Sequence, residues 1–110
     1  MKYQVIENEK ALAISLSGEL DTVTAEILRE LLNSLLQKEK KQVVIDLSGI
    51  SFINSSGLGA IVSASLSFRR DGGRIVLCGI QGMVSRVFEL TRMNRAFEVF
   101  PTVQDAMDSF

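Results

Sequence analysis

Asn54-Ser55-Ser56-Gly57 is the stretch of this 110-residue chain where polar side chains stand close enough to share one chemical task. It follows a short apolar run, Val43-Val44-Ile45-Asp46-Leu47, and a loop that Phe52 and Ile53 anchor to the core. It opens a segment that reads as a helix from Ser55 to about Arg70. Polar residues at such a place are first of all caps, because the leading N–H groups of a helix have no partner within it. A serine hydroxyl there is also placed to accept a phosphoryl group, since the helix dipole favours the added charge by about 0.3–1 kcal/mol. Other phosphate chemistry fails on the residues. Gly57-Leu58-Gly59 is followed by Ala60-Ile61-Val62 with no third glycine, and no Gly-Lys-Ser/Thr loop is present. No Gly-x-Ser-x-Gly elbow occurs either. With no His in the chain, a Ser-His-Asp triad, a histidine base and His-ligated zinc are excluded. Glu19 and Asp21 are too few for a closed cation site, and Asp21 or Thr22 stands where a helix needs its cap. Cys78, the single cysteine, cannot form an intramolecular disulfide and reads as a small core residue.

The elements that must position these residues follow from apolar periodicity. Tyr3–Ile6 and residues 11–17 alternate as strands around the polar loop Glu7-Asn8-Glu9-Lys10. From Thr22 to Gln37 the stripe Val23, Ile27, Leu28, Leu31, Leu32, Leu35, Leu36 predicts an amphipathic helix with that face inward. The run 43–47 is apolar on both faces, as a central strand is. After the helix from Ser55, Asp71-Gly72-Gly73 makes a turn and Arg74–Cys78 another buried strand. A third helix covers about Met83–Thr91, with Val84, Val87, Phe88 and Leu90 inward. Phe97–Phe100 is a short strand, and a last helix contains Val103, Ala106 and Met107. The expectation is a single α/β domain over residues 1–110, with a mixed sheet of about five strands and about four helices.

Composition narrows the partners. Twelve basic and thirteen acidic residues give a net charge of −1, so no overall basic field draws the chain to nucleic acid. Arg69, Arg70, Arg74, Arg86, Arg92 and Arg95 are interrupted by Asp71, Glu89 and Glu98, with few aromatics, and read as solvated arginines. No apolar run reaches the roughly 20 residues that cross a bilayer, and the polar start Met1–Glu7 does not resemble a signal peptide, so a cytoplasmic location is expected.

From Asp46 to Gly59 the chain resembles the signature of the STAS domain, in particular the bacterial anti-sigma-factor antagonists. Gly18-Glu19-Leu20-Asp21 resembles the turn that precedes the first helix in that family. The order of predicted elements matches over essentially the whole chain. The resemblance implies a non-enzymatic regulator without a cofactor or bound metal. In its unphosphorylated form it would capture an anti-sigma serine kinase and so release a sigma factor. Ser55 is then the implied phosphorylation site, and Asp21, Asn54, Ser55, Ser56 and Gly57 the implied partner-binding surface. The family's usual Asp is Asn54 here, which keeps the capping ability and removes a negative charge. Related stand-alone domains also serve as non-switching accessory or scaffold subunits of transport and signalling assemblies, which is the alternative reading.

Overall fold

Strands with one or two apolar faces and helices with an apolar stripe must cover one another, and here a single sheet lies between two helical layers. The structure, a computed structural model, describes all residues 1–110. The elements are β1 (Lys2–Glu7), β2 (Leu12–Leu20), α1 (Thr22–Gln37), β3 (Gln42–Ile53), α2 (Ser55–Arg70), β4 (Arg74–Cys78), α3 (Gly82–Leu90), α4 (Met93–Ala96), β5 (Val99–Phe100) and α5 (Val103–Asp108). The strands lie in the order β1-β2-β3-β4-β5. β1 runs antiparallel to β2, and every later neighbour is parallel.

Alternation along the strands divides the core in two. Ile14, Leu16, Val43, Ile45 and Leu77 meet α1, α2 and α3, which contribute Leu28, Leu32, Ile61, Phe68 and Phe88. Phe68 and Phe88 are each 1% exposed, and burial of such a ring contributes about 1.5–3 kcal/mol. On the other face Ala13, Val44, Val76 and Cys78 pack against Ala106 and Met107 of the short α5. Burial, and then the charge of and hydrogen bond to Asp46, push the Cys78 thiol up from 9.0 to about 12. The thiol therefore stays protonated and inert at neutral pH.

The structure corrects the sequence expectation in four places. There are five helices, not four. The added α4 is a single turn, entered through Arg92 in a left-handed conformation (φ 60°), and it is too short to show a period. The buried stripe of α1 is Ala25, Leu28, Leu32 and Leu35, so Val23 and Ile27 face outward; Ile27 is one residue, about 100°, from Leu28. Leu90 is 80% exposed for the same reason, since it lies two residues past the buried Phe88. Finally, the expected loop at Ser48–Ile53 is strand. β3 continues along β2 through register shifts between Ser15 and Ser17 and between Gly18 and Glu19. Such bulges break the two-residue period that would have revealed the strand. The close approach also needs Gly49, where a Cβ would stand 2.6 Å from the Leu16 carbonyl oxygen.

Candidate functional site

The long pairing of β2 with β3 builds the site. Leu20 and Ile53 end their strands as register partners, both buried, and the strands are parallel. The next residue of each strand, Asp21 and Asn54, therefore leaves the same sheet edge beside the other. Asn54 N–H donates to the Leu20 carbonyl at 3.2 Å, which ties the two exits together.

Each exit residue caps a helix. Asp21 Oδ1 accepts the N–H groups of Val23 (3.1 Å) and Thr24 (3.0 Å). The Thr24 hydroxyl oxygen accepts Asp21 N–H at 2.8 Å and donates to the Glu19 carbonyl at 2.8 Å. These bonds, led by the Thr24 N–H and then the Thr24 hydroxyl, hold the Asp21 carboxyl below its ordinary range. All of its side-chain bonds fall on Oδ1, so Oδ2 is left over for an external donor. At α2, Asn54 Oδ1 accepts Gly57 N–H at 3.0 Å and the Asn54 carbonyl accepts Leu58 N–H at 3.0 Å. The N–H groups of Ser55 and Ser56 have no acceptor in the chain, as expected for the first turn.

The two serines differ. Ser55 is exposed and its hydroxyl makes no hydrogen bond. Ser56 is half-buried, with Oγ 3.2 Å from the Thr22 hydroxyl at the start of α1. Asn54 Nδ2 donates to the same Thr22 oxygen at a long 3.5 Å. Gly57 is buried, and a Cβ there would lie 2.5 Å from the Leu20 carbonyl oxygen. Its missing side chain lets α2 lie down on β2. Asp21, Asn54, Ser55 and Ser56 thus come together at one end of the sheet, with Gly57 beneath them. Thr22, which sequence reasoning weighed only as a cap, is the bridge between the two helix starts. Val23, read as core, stands 74% exposed beside Asp21 and adds an apolar contact to this surface.

Further along α2 stand the small residues Ala60, Ser63 and Ser67. They line a narrow groove against Arg29 and Asn33 of α1, and Ala60 is fully buried there. At the two helix starts the free N–H groups of Ser55 and Ser56 and the positive ends of the helix dipoles suit an anionic group.

The STAS domain family profile matches residues 2–106. This chain belongs to the STAS domain family. Among STAS relatives, an anti-sigma-B factor antagonist of Listeria monocytogenes is 35% identical over 86 residues, 78% of this chain and 75% of its own. The crystal structure of an anti-sigma factor antagonist from Mycobacterium paratuberculosis superposes with a TM-score of 0.87 at 25% identity, covering 98% of this STAS chain and 92% of that one. The Bacillus cell fate determinant SpoIIAA in its phosphorylated form shares the STAS fold, with a TM-score of 0.76, 21% identity and 98% of each chain covered. The Listeria and Mycobacterium relatives bear the names of regulatory proteins, antagonists of anti-sigma factors.

Proposed function

We propose that this STAS domain is an anti-sigma factor antagonist whose unphosphorylated form binds an anti-sigma serine kinase, frees a sigma factor, and is switched off by phosphorylation of Ser55. A cytoplasmic location goes with that role. The observation that carries the reading is the contrast between the two serines: Ser55 offers an exposed, unbonded hydroxyl, whereas the Ser56 hydroxyl is engaged by Thr22. A phosphate on Ser55 would find the N–H groups of Ser55 and Ser56 without protein acceptors, so the domain can carry the new charge without unfolding. The cost then falls on the partner. A partner surface that fits a neutral serine meets bulk and about two negative charges after modification. The 35% identical relative bears the name of an antagonist, which supports the same role.

The test is phosphorylation by a cognate anti-sigma kinase with ATP, followed by peptide mapping and calorimetric titration of both forms. Phosphate on Ser55, with kinase affinity falling at least tenfold (~1.4 kcal/mol), supports the reading. Phosphate only on Ser56, no phosphate at all, or unchanged affinity overturns it.

A further inference from the structure

At the far end of α2 three of the arginines that read as solvated in the sequence converge on one cleft. The cleft has a volume of about 360 Å³ and is lined by Ser65 and Arg69 of α2, Arg74 of β4, Arg95 of α4, and Phe97 and Glu98 beyond it. Ser55 and Ser65 are ten residues apart on α2, about 15 Å of helix, so this cleft is separate from the surface at the helix starts.

Two observations point to a ligand. The first is charge without a partner. Arg74 is already paired: Nε donates to Glu98 Oε1 at 2.9 Å, Nη2 pairs with Glu98 Oε2, Nη1 donates to the Ser109 carbonyl at 3.1 Å, and the guanidinium lies 4.7 Å from the Phe110 ring centre. The other ion pairs of the chain are Glu26–Arg29 and Glu7–Lys40. Arg69 and Arg95 therefore stand at the cleft with every guanidinium donor free, and Glu98, the one carboxylate facing them, is already held by Arg74. The second is Ser65. The residue is 8% exposed, yet its Oγ is open to the cleft and bonds to no group of the chain, although a hydroxyl in a helix commonly bonds back to the preceding turn. Arg69 is four residues on, on the same face of α2.

We propose that this cleft binds a small phosphate-bearing molecule, with Arg69 and Arg95 gripping the phosphate oxygens and the Ser65 hydroxyl donating to a third. The charge balance favours phosphate over a simple carboxylate. Three arginines and one glutamate leave the cleft with two positive charges, and a phosphate monoester carries about −1.5 to −2 near neutral pH. Two guanidinium forks and a hydroxyl also match a group that presents three oxygens. The volume falls at the lower end of that of small-molecule sites, leaving room for a compact organic part against Phe97.

The test is an amide NMR titration of the whole chain with inorganic phosphate, ionic strength being held constant with chloride. Saturable shifts are expected at Ser65, Arg69 and Arg95–Phe97. Arg69→Gln with Arg95→Gln should weaken binding at least tenfold, while Arg86→Gln, on α3 outside the cleft, should leave it unchanged. Ser65→Ala should weaken binding several-fold and leave the melting temperature equal or higher, since it removes a hydroxyl that bonds to nothing. Shifts that do not saturate, that persist in the double variant, or that centre on Ser55 and Ser56 instead would overturn the proposal.

Discussion

Two glycines two positions apart in α2 should respond to alanine in opposite directions. Both lie in the first turns of one helix, where replacing glycine with alanine gains about 0.8–1 kcal/mol in helix propensity. At Gly59 little opposes that gain, because a Cβ would meet only the flexible Arg29 Nη2, at 3.7 Å. Gly59→Ala should therefore stabilise the domain by nearly the full amount. At Gly57 the Cβ would stand 2.5 Å from the Leu20 carbonyl oxygen, 2.8 Å from Leu20 Cγ and 3.2 Å from Ile53 Cγ1. Leu20 is fully buried, and its carbonyl also holds Asn54 N–H, so it cannot yield without loosening the join between β2 and α2. Overpacking of this kind costs about 1–3 kcal/mol, and a backbone contact belongs to the upper part of that range. After the propensity gain, Gly57→Ala should lose about 1–2 kcal/mol. For a domain of this size 1 kcal/mol moves the midpoint by about 4 °C, so Gly59→Ala should melt ~4 °C higher and Gly57→Ala ~4–8 °C lower. Urea titrations at constant slope, alongside thermal melts, would measure both. Equal shifts of the same sign, or a Gly57→Ala protein more stable than the parent, would refute the packing argument.

Three other predictions follow from the same geometry. Because folding raises the Cys78 thiol from 9.0 to about 12, its contribution to stability is complete below about pH 9 and is lost as pH climbs toward 12. Alkaline urea titrations should show a smaller loss over that window in Cys78→Ala than in the parent, and native Cys78 should label with a thiol reagent at pH 8 at least a hundredfold more slowly than unfolded chain. The Asp21 carboxyl is depressed, so its contribution is present above pH 3.8 and fades as pH falls through its lower folded value. Asp21→Asn should flatten that acid limb yet leave the neutral-pH melt nearly unchanged, because one amide oxygen can accept the bonds now made by Oδ1; weaker kinase binding at neutral pH would then report the free Oδ2. Phosphorylated Ser55 should leave the melting temperature within a few degrees, as α2 has donors in place for the charge; a large drop in differential scanning calorimetry would show that the switch acts by unfolding.

Much of this molecule is legible one residue at a time, and the limits are physical. α1 and α2 run over the residues that caps and periodicity indicate, Thr22–Gln37 and Ser55–Arg70, because Asp21 and Asn54 do locally what isolated caps do. The strand after Leu47 stays hidden, because bulges in β2–β3 pairing spoil its alternation and only the register with β2 makes it a strand. That register decides the site. Asp21 and Asn54 can each be recognised as a cap from their neighbours, yet their adjacency follows from Leu20 facing Ile53 across the sheet. The hydroxyl that distinguishes Ser56 from Ser55 likewise comes from Thr22, 34 positions away. The arginines show the same limit. Counted along the chain they are diluted by Asp71, Glu89 and Glu98. Folded, Glu98 pairs with Arg74, whereas Arg69 and Arg95 meet across a cleft with no acid to spare. Local chemistry names the parts, and parallel pairing in the sheet decides which of them act together.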